Sequence, residues 1–418
     1  MDMQEKTIGT SSRRSFLVGS GLTAAMARSA VGANDRIRMG VIGTGTRGSY
    51  MSTVLESHED CQVLAMADVF ETNLGPAAAK LKTKPDVYQD FRRILDSKDI
   101  DAVFIATPDH WHSPLIIAAC EAGKDAYCEK PLSNSIEDGW KAVDAVRKYN
   151  RVVQIGLQQR SWDHFQQCAR WVQEGKFGTI FHVGLHWQGS YTRPPEEPTT
   201  PPPDLNWDLF QGPAPRKPYT RSRHRSWRSY YDYGGGIITD QGVHIGDVMH
   251  WYMGVREPRS VSASAQWVRV PKPDPEQPAD SWIITWQYDK FVASYTNAYI
   301  PLAEYDNTQG NFFFGTQGVL HVNRTSYTLK PMPGPPAGRG GAAPKPAFEP
   351  MNVAFRYVGG PSDSAHVRNF LDCVKSRQKP ITDVETGFYS TLPLCLGVLA
   401  VRYGKQYNWN GKSAVACG

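Results

Sequence analysis

Two short stretches of this chain hold residue types that could move a proton. In YYDYGGGIITDQGVHIGDVMHW, residues 230–251, Gly234 to Gly236 break the chain before an apolar, helix-compatible run. Asp240 and His244 stand four apart, with Asp247 three further on, so on a single helix the three share one face. A carboxylate beside an imidazole orients it and stabilises the imidazolium, which is what a general base needs when it takes a proton from a hydroxyl. The plainer reading of the same residues is an N-terminal Asp and a core histidine on a structural helix. The second stretch, CEKPLSNS at 128–135, sets Lys130 directly after an apolar run that reads as a buried strand, held between Glu129 and Pro131. A solvated surface lysine needs no such placement, but the motif by itself separates the two readings poorly.

The elements that must position these groups are legible upstream. In RIRMGVIGTGTRGSY an apolar run from Ile37 to Ile42 leads into Gly43-x-Gly45-x-x-Gly48. The first glycine permits a tight turn, the second lets the backbone approach a pyrophosphate, and the third lets a helix pack on the strand. Thr46 and Arg47 lie inside this loop and are grouped with it. A second apolar run, CQVLAMADV, ends in Asp68, 20 residues beyond Gly48. A carboxylate there accepts hydrogen bonds from ribose hydroxyls and repels a 2′-phosphate, which favours NAD over NADP.

Strands and helices then alternate through DAVFIATP, SPLIIAACEAG, DAYCEKP, IEDGWKAVDAVRKYN and VVQIGLQ. This pattern implies an α/β fold with a parallel, doubly wound sheet, in which ligands bind beyond the carboxyl ends of the strands. Three segments therefore converge there: Gly43 to Gly48, Ala106 to Pro114, and Glu129-Lys130-Pro131. Thr107, Pro108, His110, Glu129 and Lys130 join the expected cofactor-binding set.

The second half changes character. RSVSASAQWV, SWIITWQYD, FVASYTNAY, NFFFGT and GVLHVNRTSYTLK are rich in β-branched and aromatic residues with partial alternation, as in an antiparallel sheet with one covered face. The other face offers a contact for a homodimer or tetramer. Two proline-rich segments, Arg193 to Pro203 and Pro331 to Pro350, read as mobile surface loops. The expected division is a leader over 1–33, a nucleotide-binding domain over 34–158 and a second domain over 159–418.

With 418 residues, 40% hydrophobic and 21% charged, the chain is neither fibrous nor disordered, and it is long enough for two cores. A net charge of +5, partly contributed by Lys6, Arg13, Arg14 and Arg28, is too weak to argue for a nucleic-acid partner. Seven cysteines are scattered without a CxxC pair, so neither a zinc site nor a disulfide framework is expected. The first 33 residues include Ser12-Arg13-Arg14-Ser15-Phe16-Leu17 and a short apolar stretch from Phe16 to Ala27, ending in small residues at Val31 and Ala33. This resembles a twin-arginine export signal cleaved after Ala33, too short for an ordinary membrane span. The expected location is the periplasm or another exported compartment, with no membrane insertion after cleavage.

The glycine loop with Asp68, ATPDHWHSPL, EKPL and DYGGGIITDQGVHIGDVMHW together resemble the Gfo/Idh/MocA family of NAD(P)-dependent oxidoreductases, which includes glucose–fructose oxidoreductase and inositol dehydrogenases. The resemblance covers essentially everything after Ala33, since WDLFQGPAPRKPY and HVRNFLDCVKSRQKPITDVETG look like its exported bacterial branch. It implies a Rossmann domain followed by an α/β domain with an open, mainly antiparallel sheet. It also implies hydride transfer between tightly bound NAD and a sugar or cyclic polyol. The family's catalytic group is the lysine of EKP with the Asp and His of D-x-x-x-H, here Lys130, Asp240 and His244. The lysine points at the reacting carbon, where an ammonium lowers the barrier to alkoxide formation. His110 and His112 would line the nicotinamide side, and no metal is needed if Lys130 and His244 handle the proton. Arg160, Trp227, Tyr231 and Asp247 are placed at the substrate, with arginine forks for hydroxyls and aromatic faces for sugar C–H groups.

Export constrains the chemistry, because the periplasm has no NAD pool and a retained cofactor must be recycled on the enzyme. One sugar is oxidised and a second reduced, or an external acceptor reoxidises the protein, or a transient keto sugar allows redox-neutral bond cleavage or epimerisation. The related NAD-dependent glycoside hydrolases take the last course, but the motif of their best-known subgroup at the glycine turn is absent here. The same fold also serves in non-catalytic sugar or dinucleotide sensors, which usually lose the lysine or the histidine.

Overall fold

The computed structural model describes residues 36–270, 274–298, 309–333, 345–355 and 359–417. The expected export signal and residues 334–344 of the second proline-rich loop lie outside the described residues.

The first layer is built from β1 (Ile37–Ile42), α1 (Thr46–Glu56), β2 (Cys61–Ala67), α2 (Leu74–Ala78), β3 (Asp86–Tyr88), α3 (Arg92–Asp96), β4 (Ala102–Ile105), α4 (Asp109–Glu121), β5 (Asp125–Cys128), α5 (Ile136–Tyr149) and β6 (Val153–Ile155). All six strands are parallel, in the order β3-β2-β1-β4-β5-β6. The chain therefore leaves β1 in opposite directions toward β2 and β4, and a crevice opens at that switch point. Both faces of the sheet are covered, which is why its strands are apolar runs with little alternation. Helix α5 shows how the local code works. The Ser135 hydroxyl accepts from the Asp138 amide at 3.1 Å, Glu137 and Asp138 occupy the first turn, Arg147 and Lys148 the last, and Asn150 ends the helix in the left-handed region.

The second layer contains α6 (Asp163–Gln173), β7 (Ile180–His186), α7 (Trp207–Gln211), α8 (Arg221–Arg225), α9 (Gly236–Asp240), α10 (Gly242–Met253), β8 (Ser260–Gln266), β9 (Ser281–Gln287), β10 (Val292–Thr296), β11 (Gly310–Gly315), β12 (Gly318–Val322), β13 (Ser326–Pro331), β14 (Met351–Ala354), α11 (Gly359–Ser376), α12 (Val384–Tyr403), β15 (Tyr407–Trp409) and β16 (Ala414–Ala416). Ten of these strands form one sheet, antiparallel except where β10 runs alongside β7. The stretch GVLHVNRTSYTLK is a hairpin and not one strand: the Asn323 carboxamide oxygen accepts from the Thr325 and Ser326 amides at 2.8 and 2.7 Å and turns β12 into β13. The sequence reading also passed over β7, which lies inside this sheet.

On the covered face, Trp282, Ile284 and Trp286 of β9 are buried while the intervening Ile283 is 52% exposed. α12 packs against them, with the Trp286 indole donating to the Pro393 carbonyl at 2.9 Å. The same helix reaches the Rossmann layer, where Phe388 lies 4.1 Å from Trp140 of α5, ring centroid to centroid. One hydrophobic core thus runs from one face of the parallel sheet into the second layer. The other face of the parallel sheet is closed by α1 and α2 together with α11, whose Val367, Phe370 and Leu371 pack on Met39, Val41 and Phe104.

Candidate active site

A cleft of about 830 Å³ lies between the carboxyl ends of the parallel strands and the second layer. At one end is the glycine loop, where the three glycines differ in what surrounds them. Gly43 has φ of +88°, and a Cβ there would come 2.7 Å from the Ala106 carbonyl oxygen. A Cβ on Gly48 would come 1.8 Å from the Gly43 oxygen, which is the contact that lets α1 pack on β1. Around a Cβ on Gly45, by contrast, no atom of the described residues lies within 4 Å, and this residue lines the cleft with Thr46 and Arg47. The open space over Gly45, at the head of α1, suits a phosphate group approaching the backbone. Asp68 follows β2 and also lines the cleft. Its Oδ2 accepts from the Thr44 amide at 2.7 Å and from Thr44 Oγ1 and Asn73 Nδ2, while Oδ1 accepts from the Phe70 amide at 2.9 Å. The carboxylate is therefore pinned beside the loop, and Oδ1 keeps capacity for a ribose hydroxyl. The site fits a dinucleotide.

At the other end four segments meet on one carboxylate. Lys130 Nζ donates to Asp240 Oδ1 at 2.7 Å and to the Asp240 carbonyl at 2.8 Å. Arg228 Nε also reaches Oδ1 at 3.1 Å, while Tyr191 OH and Gln241 Nε2 donate to Oδ2 at 2.8 and 2.9 Å. Burial alone would raise the Asp240 pKa, but Lys130 and Arg228 outweigh it and hold the carboxyl far below the usual range. Glu129 follows the same pattern, its burial overcome by Arg47 and Lys130. Arg47 Nε pairs with it at 2.6 Å and its guanidinium continues to Asp363 of α11, so this arginine is a structural clamp on the loop. The peptide between Lys130 and Pro131 is cis.

The expected single helix carrying Asp240, His244 and Asp247 is not found. Asp240 ends α9, Gln241 breaks the run, and His244 sits in the first turn of α10. A Cβ on Gly242 would come 2.8 Å from both Tyr295 and Leu394, so the chain packs tightly at this bend. Asp240 consequently spends its oxygens on Lys130, Arg228, Tyr191 and Gln241 and does not orient the imidazole. His244 lines the cleft, and its Nδ1 is buried without a hydrogen-bond partner among the described residues. Burial, with Arg324 and Lys130 nearby, lowers its pKa well below the usual value and keeps the ring neutral.

The substrate expectations divide. Trp227 lines the cleft. Asp247 is 1% exposed and accepts from Arg160 at 2.8–3.0 Å and from Ser390 at 2.7 Å, so this pair is a buried brace outside the cleft. Tyr231 is buried beneath Arg402, 4.5 Å from its ring centroid, also outside the lining. Thr107 and Pro108 line the cleft, but His110 is turned away, its Nε2 3.0 Å from the Phe210 carbonyl. His112 lies 2.6 Å from the Pro131 carbonyl and 3.0 Å from that of Thr107, joining two of the convergent segments. The loop from Arg193 is anchored: Gln277 binds the Arg193 amide at 2.9 Å, the Thr199 amide donates to the Tyr219 carbonyl at 2.9 Å, and Arg193 lines the cleft.

The cleft residues that the sequence reading did not single out include three that bear on the charge at this end. Tyr191 and Arg228 hold Asp240, and Asp109 is a buried carboxyl at the start of α4, pushed up to about 8 by burial and by Asp240. The only signal for Asp109 was its place beside the two histidines of PDHWHSP.

Residues 37–157 match the profile described as the oxidoreductase family, NAD-binding Rossmann fold, and residues 173–326 that of the same family's C-terminal α/β domain. The chain is 24% identical to scyllo-inositol 2-dehydrogenase (NAD(+)) of Bacillus subtilis, over 87% of this chain and 93% of that protein. It is 30% identical over 205 residues to a glycosyl hydrolase family 109 protein of Shewanella putrefaciens, covering 47% of this chain and 40% of that one. For the first curated relatives it matches, the alignment spans about half their length. In fold it is similar to the WlbA dehydrogenase of Bordetella pertussis, solved with NADH and UDP-GlcNAcA, at a TM-score of 0.64 and 19% identity over 90% of this chain and 99% of that one. With both domain profiles matched in order, and the glycine loop and EKP lysine meeting in one cleft, this chain belongs to the Gfo/Idh/MocA family of oxidoreductases.

Proposed function

We propose that this protein transfers hydride between a retained NAD and a hydroxyl or ketone of a sugar or cyclic polyol, after export. The observation that carries the reading is the Lys130–Asp240 pair, which spans the two layers inside the cleft that also holds the glycine loop. Gly45, Thr46 and Asp68 would hold the dinucleotide, and NAD when bound supplies the acceptor for a hydride from the substrate carbon. Two of the three Lys130 N–H donors are engaged by Asp240, which leaves the third for a substrate oxygen. A positive charge there favours the alkoxide as its proton departs. Asp240 cannot take that proton while two cations and two further donors hold it ionised. His244, neutral and facing the cleft, is the acceptor left, taking the proton at Nε2.

Export rests on the twin-arginine pattern of residues 12–17 and explains why retention of NAD would matter. Replacing Arg13 and Arg14 by Lys in the full chain should strand it in the cytoplasm; unchanged export would remove that half of the proposal. The chemistry is tested on NAD-loaded protein with a panel of sugars and cyclic polyols, following nicotinamide absorbance in a single turnover. Lys130→Ala should lose about 10²–10⁴ in rate. A Lys130→Ala variant with full activity, or a protein that binds no dinucleotide, would overturn the reading; dinucleotide binding with no turnover of any sugar or polyol would favour a sensor. A second reading, redox-neutral cleavage through a transient keto sugar, is favoured by the likeness to the family 109 glycosyl hydrolase. It requires release of an aglycone with no net NADH.

A further inference from the structure

We infer that the second layer supplies the outer wall of the adenosine site: residues 204–206 pair with the chain just beyond Asp68, Arg225 seated over Phe70 is a binding residue for the adenine end of the dinucleotide, and the cofactor leaves only when this segment lifts. The inference rests on the NAD reading above, but none of these residues belongs to the Rossmann sequence pattern.

The pairing is backbone to backbone. Phe70 and Leu205 form an antiparallel bridge, with the Asn206 amide donating to the Val69 carbonyl at 2.8 Å and the Glu71 amide to the Asp204 carbonyl at 3.0 Å. Around it Phe70, Leu205 and Tyr219 are each under 10% exposed and pack with Val69 and Trp207 as an apolar cluster separate from both large cores. Beyond it, the Phe210 carbonyl accepts from Trp111 Nε1 at 2.9 Å, so the segment is tied to the opposite rim of the crevice as well. The strap therefore spans the crevice from the end of β2 to the start of α4.

Arg225, the last residue of α8, places its guanidinium carbon 4.7 Å from the Phe70 ring centroid, remains exposed, and lines the cleft with Asp68 and Asn73. The Phe70 amide is bound to Asp68 Oδ1, so the ring carrying Arg225 is coupled to the residue placed to read the ribose. A planar guanidinium seated over an aromatic ring can present a face to a second π system, and adenine has the matching shape. Departure of the dinucleotide would require breaking two backbone hydrogen bonds and wetting the apolar cluster. That predicts slow release without covalent attachment.

The test measures NAD dissociation from the full-length holoprotein by displacement with an excess of a fluorescent NAD analogue. Arg225→Ala, an exposed substitution that leaves the fold intact, and Leu205→Ala, which loosens the bridge, should each speed release by about tenfold, an effect on the dissociation rate and not on association. Wild-type release rates in both variants would overturn the inference while leaving the NAD reading standing. A wild-type protein that binds no NAD would overturn both. Weaker NADP binding with unaltered NAD release would assign Arg225 to a 2′-phosphate and equally overturn the closure.

Discussion

The two ends of the cleft are built on opposite plans. The glycine end is made of backbone: its shape depends on what is missing at three positions within six residues, and at Gly43 and Gly48 the absence has a local steric reason. The lysine end is made of charge, gathered onto Asp240 from Lys130, Tyr191, Arg228 and Gln241, which are up to 110 residues away in sequence. A backbone site tolerates change in its surroundings but not at its own glycines. A charge cluster tolerates little, because removing one member strands the others.

The largest expected effect tests the backbone plan. Gly48→Ala forces a Cβ against the Gly43 oxygen and should abolish bound dinucleotide, seen by mass spectrometry of the denatured protein. Gly45→Ala meets no atom of the described residues within 4 Å, so thermal stability should hold while NAD affinity falls. Equal stability losses in the two variants would erase the distinction. Next, Asp240→Ala leaves Lys130 and Arg228 facing each other with side chains 13% and 43% exposed. It should cost about 3–5 kcal/mol, measured by denaturant unfolding, in addition to the lost rate. Asp247→Ala breaks the Arg160 brace and should destabilise comparably without altering the sugar KM. A changed KM would return that pair to the substrate.

The smallest effect is a pH dependence. Burial and then Asp240 raise Asp109 from its ordinary 3.8 to about 8. Between those values the folded protein keeps a proton that the unfolded chain has released. Asp109 therefore contributes stability that is full at the acid end and falls as pH rises through the window. Asp109→Asn should flatten the slope of melting temperature between about pH 4 and 8. An unchanged slope would mean that this carboxyl ionises normally.

The same contrast explains what the sequence made legible. Five of the six parallel strands, the glycine loop and Asp68 follow from short-range sterics and periodicity, and the structure has them where those rules put them, while the three-residue edge strand β3 has no apolar run to mark it. Lys130 was legible too, because a strand end in a doubly wound sheet faces the crevice. Spacing misled at Asp240 and His244, since a four-residue interval implies one face only if the helix is unbroken, and packing of Gly242 against Tyr295 and Leu394 accompanies a break there. It misled at Asp247 as well, because a polar residue on a helix can face a cleft or a buried arginine, and the choice was made by Arg160 and Ser390. Tyr191 and Asp109 had no local signature, for their roles exist only once distant segments meet.

One feature ties the first segment of the fold to nearly the last. Helix α11 closes a face of the nucleotide-binding sheet, and its Asp363 holds Arg47 of the glycine loop. During synthesis the sheet and loop emerge early, yet the wall that completes them is translated more than 200 residues after β6. The packing of the nucleotide-binding domain is therefore complete only once α11 has been made. A chain cut short before residue 359 would keep the dinucleotide fingerprint and lack the wall behind it, so bound cofactor becomes a record that translation was finished.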